Sequence, residues 1–397
     1  MSLAKDYRVS RVAICYFYIN KLLGLVPITY DNKTKEFKTS FLSLLYPIFA
    51  IIAMIILYYH LLCQYLIFLN KFFSSPIAKF ISAFQSLYLC LEIISVQFIY
   101  ICYRKLLVQY LNGKREFEIQ LNLVSKKIYK KNYYAHLSLF TAVIFGLKIL
   151  FQYFLLLIFN SVGGQLLTSL IFYMIPYAAG TLIGTTFSME VISLRFLAVQ
   201  INYTLMDSLK TIRNLPEDTS KAHRMTLSCD ISDKVDKLMT LHSRLNTMIR
   251  KFNCLQNIAL LFYYTYKFMD IIIPIFYEYL YITGHSKIQS SLAAYFFAVI
   301  EEGLNALELV VTVFSSQELI NEMRKTGRIL HEFPVHQTDS RLKESIYRFS
   351  TQILQENRPI SIFGMFTVDN TLLYAMVSAM TSYLILLIQF QQQEIIL

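Results

Sequence analysis

Tryptophan is absent from the 397 residues, and Asp, Glu, Lys and Arg together supply only 16% of them. Soluble domains carry roughly 25% charged residues, so this scarcity argues against an ordinary water-soluble fold. Six cysteines (Cys15, Cys63, Cys90, Cys102, Cys229, Cys254) are scattered without a CxxC pair. That spacing excludes a zinc ribbon, a thioredoxin-type motif and a disulfide framework. The seven histidines show no ligand spacing. Gly-rich phosphate loops, nucleophile elbows and zinc-protease motifs are also missing. The expectation is a protein that is no enzyme and carries no metal or cofactor.

What the chain has instead is apolar length. Hydrophobic residues make up 55%, with 31 Phe and 29 Tyr. A helix needs about 20 mostly apolar residues to cross a bilayer. Seven segments qualify: 41–66, 77–101, 135–159, 166–191, 255–283, 290–316 and 366–390. Each must be helical, because unpaired backbone amides are not tolerated in lipid. The expected fold class is an all-α membrane protein of seven transmembrane helices. Residues 11–28 read as an interfacial helix, with an eighth span as the alternative. Asn20-Lys21 interrupts the apolar run and no small-residue cleavage site follows, so it does not read as a signal peptide.

The net charge of +11 raises the possibility of nucleic acid. However, the basic residues cluster between the apolar runs, as in polybasic membrane loops, so the expected partner is the bilayer and no nucleic acid. Thirty-two of the 37 Lys and Arg fall before the first span or in the 101–133, 195–252 and 318–362 segments. All four regions lie on the same side. The positive-inside rule then predicts a cytoplasmic N-terminus and an extracellular C-terminus. Sequons at Asn32 and Asn202 would face the cytoplasm and stay unused. A G-protein-coupled receptor requires the opposite orientation. No DRY-like triplet follows the third span, and Asp369-Asn-Thr-Leu-Leu-Tyr374 only faintly echoes NPxxY. A secondary transporter would show repeats and broken mid-membrane helices, and neither is visible.

Two inner segments carry helical periodicity. Val235, Leu238, Leu241, Leu245 and Ile249 share one face of a helix that can run into the fifth span. Leu342, Ile346, Phe349 and Ile353 do the same before Arg358-Pro359. These helices either form a compact cytoplasmic base or lie on the membrane surface. In the fourth span, Gly180 and Gly184 form a GxxxG that permits close helix contact.

The last span has a small and polar stripe: Thr371, Ala375, Ser378, Ser382, Ile385, Gln389 and Gln392. Such a face belongs against another helix or against water. In the second case Ile385 is a dry constriction and Gln389 a polar ring in a pore. A pore built from one helix per chain needs a closed ring of chains.

Within this span, TSYLILLIQF (381–390) resembles the signature of insect gustatory receptors: a Thr-Tyr pair, five hydrophobic residues, then Gln-Phe. Here the motif residues are Ser382, Tyr383, Gln389 and Phe390, with Ser382 in the usual threonine place. Upstream, ENRPISIFGMFTVDN resembles the family's approach to this span, and KLLGLVPI its opening. The resemblance implies a seven-helix, ligand-gated cation channel related to insect olfactory receptors. It implies a homotetramer or heterotetramer with other gustatory receptors, held by a cytoplasmic anchor. It implies a pore lined by Ser378, Ser382, Ile385 and Gln389. It implies a small-molecule tastant bound among spans 2–6, and a place in the plasma membrane of gustatory neurons. The expected division is a cytoplasmic segment over 1–40, spans 1–6 with their inner loops over 41–317, and a cytoplasmic helix plus pore helix over 318–397. Candidate ligand residues in the outer halves are Tyr88, Tyr153, Tyr177, Tyr277, Tyr295 and Glu301, with Phe84 and Tyr173 beside them. The lack of tryptophan and the few polar residues there favour bitter or other non-sugar tastants over a sugar.

Seven ionisable residues fall at membrane depth: Glu92, Lys148, Lys267, Asp270, Glu301, Glu302 and Glu308. Lys267 and Asp270, three apart, can neutralise each other. The glutamates either pair with Lys148 or Lys267 or form a polar patch near a ligand cavity suited to cationic tastants.

Overall fold

The computed structural model describes residues 11–31, 33–72, 76–125, 131–161, 174–216, 220–283, 292–334, 339–356 and 359–396. Helix α1 spans Arg11–Leu22 and is followed by a hairpin, β1 (Thr29–Asp31) and β2 (Glu36–Lys38). Helices α2 (Phe41–Phe72), α3 (Pro76–Cys102), α4 (Arg104–Val124) and α5 (Lys131–Ser161) come next. The three longest then follow: α6 (Ile175–Arg213), α7 (Lys221–Ile282) and α8 (Leu292–His331). The chain closes with α9 (Ser340–Glu356), the hairpin β3 (Ser361–Ile362) and β4 (Phe366–Thr367), and α10 (Asn370–Ile396).

Six of these helices are long and apolar enough to cross a membrane: α2, α3, α5, α6, α7 and α10. The seventh expected span lies on α8 from Leu292 onward, where Glu301, Glu302 and Glu308 lower the apolar character of the helix; residues 290–291 of that span and 166–173 of the fourth lie outside the described residues. The helices run past the ends of most expected spans, and two boundaries fall short of expectation. Residues 366–369 are strand and turn rather than the start of the last span, which begins at Asn370. The first helix ends at Leu22, because Gly24 takes a positive φ of 71° that no side chain favours. The 101–133 segment, read as a loop, contains α4, whose buried face is Tyr110, Phe117 and Leu121.

Helix α7 is 62 residues long. It needs no break because its apolar face is continuous from the amphipathic stretch into the span. Val235, Leu238, Leu241, Leu245 and Ile249 are all buried, as are Leu255, Leu260 and Tyr263 further on. Against its lower half packs α9, burying Leu342, Ile346, Phe349 and Ile353. The inner segments thus form a helical base that shares one core with the bundle above. Among the described residues, helices α6 and α8 make the most extensive contact. Gly184 on α6 is required where that helix meets α7: a Cβ at this position would lie 2.3 Å from Cε2 of Tyr263. Asn202 of the second sequon is buried, donating to the Glu322 carbonyl at 2.8 Å and accepting from Thr326 at 2.6 Å. Asn32 of the first lies outside the described residues.

His242 sits inside this base, edge-on to Phe349 with ring centroids 5.4 Å apart. Both ring nitrogens are buried without a hydrogen-bond partner among the described residues. Burial pushes its pKa down to about 4, against a smaller opposing pull from Glu356. Above the ordinary value of about 6.5 the ring is neutral folded or unfolded. Between there and about 4 the unfolded chain takes a proton that the folded base refuses. Stability therefore falls as pH falls through that window, by a total of order 3 kcal/mol. His242→Phe should flatten this acid limb in a thermal-stability series from pH 7.5 to 4.5. An unchanged limb would mean that the imidazole is already solvated.

Candidate functional site

Helices α3, α5, α6, α7 and α8 meet around a cluster of charges. Lys148 (α5) and Lys267 (α7) have no exposed surface. Both ammonium groups contact Oε2 of Glu308 (α8), Lys267 at 3.0 Å and Lys148 in a still closer contact. Lys267 also meets Asp270 at 3.1 Å and the Asn305 side-chain oxygen at 3.3 Å. Tyr266 donates to Asp270 at 3.1 Å, and Tyr177 (α6) donates to Asn305 at 3.3 Å. One turn further along α8, Thr312 bonds Ser188 of α6 at 3.0 Å. With its nitrogen turned toward Glu301, the Gln152 amide donates to both carboxylate oxygens, at 2.5 and 2.8 Å. Isolated charges at this depth would be prohibitive, and shared ionic hydrogen bonds offset part of their desolvation.

A second feature is the face of α10. Leu372 and Met376 enter the main core, and Leu384, Leu387 and Ile388 pack against Ala78, Phe276 and Leu280. Tyr383 meets Phe268 edge-on at 5.6 Å. On the other side Thr371, Ala375, Ser378, Ser382, Ile385, Gln389 and Gln392 are all exposed in the single chain. Only 6% of the helix's apolar window is buried, the least of the six candidate spans.

The β3–β4 hairpin links α9 to this helix. Its turn runs through Phe363 and Gly364, both at positive φ (51° and 72°), and closes with Met365 N–H donating to Ile362 O at 2.9 Å. This is a primed hairpin turn, which explains the glycine. Asn253 and Asn257 on α7 accept from the backbone N–H groups of Ser361 and Phe363 at 3.2 and 3.3 Å. Asp369 then caps α10, accepting from Thr371 N–H at 2.9 Å and from the Thr367 hydroxyl at 2.7 Å. Burial raises its pKa, but these hydrogen bonds outweigh burial and hold the carboxylate below its ordinary value.

The sequence pattern of the 7tm chemosensory receptors matches residues 13–394. The chain belongs to that family. It is 22% identical over 253 residues to gustatory receptor 68a of Drosophila melanogaster, covering 60% of this chain and 63% of that receptor. It is 22% identical over 171 residues to the Drosophila melanogaster gustatory receptor for bitter taste 93a, covering 43% and 39%. The matched lengths thus fall below two-thirds of both receptors. In fold it resembles the insect olfactory receptor OR5 from Machilis hrabei, with a TM-score of 0.62 at 14% identity over 95% of this chain and 97% of that one. The structure of OR5 in complex with eugenol gives a TM-score of 0.59.

The candidate ligand residues of this receptor do not form one group. Tyr177 is buried in the polar cluster, next to Glu301. Tyr88 is half-buried against Phe262 at 5.6 Å. Tyr277 is in hydrogen-bond contact with Ser82 on α3, at the end of the bundle where α10 packs on Phe276. Tyr153 and Phe84 face outward from the chain. The Tyr295 side chain and Tyr173 lie outside the described residues. Sequence reasoning missed the hairpin and its docking asparagines. The available signal was a pair of Asn four residues apart, Asn253 and Asn257, at the end of an amphipathic stretch.

Glu308→Gln should destabilise the receptor by about 3–5 kcal/mol, because it leaves two buried ammonium groups facing each other. Adding Lys148→Met should recover part of that loss. Thermal unfolding of the purified receptor in lipid discs measures both. Equal stability of Glu308→Gln and the wild type would mean that the lysines reach water.

Proposed function

We propose that this receptor is a tastant-gated, non-selective cation channel for bitter or other non-sugar small molecules. The observation that carries the reading is the uncovered stripe of α10. Seven positions at helical spacing, six of them small or polar, stay exposed while the opposite face packs onto the bundle. A small and polar face is wasteful against lipid and suits a water-filled axis shared with other copies. In this reading Ser378, Ser382, Ile385 and Gln389 line the pore, Ile385 is its dry constriction, and four chains close the ring. The N-terminus is cytoplasmic and the C-terminus extracellular. Residues 1–40 form a cytoplasmic segment, spans 1–6 with their inner loops run from 41 to 317, and 318–397 carry an anchor helix and the pore helix.

Ligand binds among spans 2–6 and favours whichever arrangement of those helices it contacts better. The pore then opens by population shift. The β3–β4 hairpin supplies the linkage, since its two strands connect the anchor helix α9 to α10 and its backbone is held on α7. Support for a small-molecule ligand comes from the OR5–eugenol complex, and support for bitter tastants from the name of the relative receptor 93a. The receptor would act in the plasma membrane of gustatory neurons.

Cysteine cross-linking tests the axis without a known ligand. Ile385→Cys and Gln389→Cys should give intermolecular disulfides under mild oxidation, whereas Met376→Cys, buried against its own bundle, should not. The reverse pattern would remove α10 from the axis. Ile385→Ser should also raise the resting cation current in expressing cells by shortening the dry constriction. A current that stays at background would argue against a gate at this position.

A further inference from the structure

We propose that the polar cluster contains a binding subsite for the ammonium group of a protonated amine, with the Glu92 carboxylate on α3 as its counter-ion. This rests on the ligand-gated reading above and names the ligand class.

The first argument is charge balance. Five carboxylates (Glu92, Asp270, Glu301, Glu302 and Glu308) share one region with two ammonium groups. Both lysines are committed. Lys148 is held by Glu308, and Lys267 divides itself among Glu308, Asp270 and Asn305. Glu301 is met by the Gln152 amide. Glu92 has no exposed surface, and among the described residues neither of its carboxylate oxygens has a hydrogen-bond partner. The carboxyl nonetheless sits in the field of Lys267, Asp270 and Glu308. One oxygen of Glu302 is likewise buried and, among the described residues, unpartnered. A carboxylate in this position is costly unless a cation joins it.

The second argument is the wall around it. Opposite Glu92, α6 presents the bare backbone of Gly180, where a Cβ would sit 3.7 Å from Glu92 Oε2 and 3.2 Å from Leu89 Cδ1. Tyrosine rings already hold alkylammonium groups here. Lys148 Nζ lies 5.3 Å from the Tyr177 ring centre, and Lys267 Nζ lies 5.9 and 5.7 Å from those of Tyr263 and Tyr266. Carboxylate and aromatic faces together are the chemistry that recognises an organic ammonium ion. Among the described residues no three His, Cys, Asp or Glu side chains are grouped to hold a metal ion, which favours an organic cation.

The test uses the full-length receptor in lipid discs at matched ionic strength. The probes are ammonium, methylammonium, butylammonium and phenethylammonium chlorides. Sodium chloride is the control for ammonium, and methanol, butanol and phenethyl alcohol are the controls for the three amines. Thermal-shift titration should show stabilisation by members of the amine series beyond their neutral counterparts. Glu92→Gln should weaken that effect at least about tenfold while leaving the unliganded receptor at least as stable as the wild type. If Glu92→Gln does not fold, the carboxylate has a structural partner and the proposal falls. Gly180→Ala, which narrows the space beside Glu92 and keeps its charge, should also weaken the amine effect. The proposal is overturned if no amine, down to ammonium itself, outperforms its control, or if Glu92→Gln responds like the wild type. Neutral compounds that evoke currents without any preference for amines would remove the subsite and leave the channel reading intact. Amine binding that survives without inter-chain cross-linking at Ile385 would do the reverse.

Discussion

Two lysines from two helices share a single oxygen of Glu308, and the packing of the bundle depends on that contact. Lys148 comes from α5, Lys267 from α7 and the glutamate from α8, all with almost no exposed side-chain surface. An apolar trio of similar volume could pack as stably or more so. What the ionic trio adds in this account is register: three helices are fixed relative to one another by directional bonds that tolerate little sliding. Tyr177, Asn305, Tyr266 and Asp270 extend the same bonds to α6 and along α7. A bundle built this way can respond to a ligand's charge, because any cation entering the cluster competes in the same electrostatic balance.

Below the cluster the architecture is continuous. Helix α7 runs unbroken from the helical base into the span, so a shift in the upper bundle has a rigid path downward. The return path is the β3–β4 hairpin, held on Asn253 and Asn257 and leading into the Asp369 cap of α10. The helix it leads to is the least covered of the six apolar ones. The interior is therefore tightly specified by polar contacts, while one helix keeps most of its surface uncovered.

Much of this was legible in the sequence because periodicity and charge are local signals. The buried faces of α7 and α9 follow residue for residue from Val235, Leu238, Leu241, Leu245 and Ile249, and from Leu342, Ile346, Phe349 and Ile353. The pairing of Lys267 with Asp270 followed from their three-residue spacing. The choice of Glu308 over Glu301 as the shared partner did not, because it depends on how α5 and α8 meet in space. Helix α4 escaped notice because its buried face is only three residues, Tyr110, Phe117 and Leu121, in an otherwise polar and basic stretch. The two hairpins were missed because strands of two or three residues leave almost no pattern. The positive φ values at Phe363 and Gly364 appear only once the backbone is built.

The channel account requires α10 to cross the membrane outward and the basic segments to remain inside. The most direct measurement is antibody access to epitope tags on intact cells, one before Met1 and one after Leu397. The account predicts that the tag after Leu397 is labelled without permeabilisation while the tag before Met1 is hidden. Labelling of the N-terminal tag alone would contradict it and would place the chain in the orientation of a G-protein-coupled receptor.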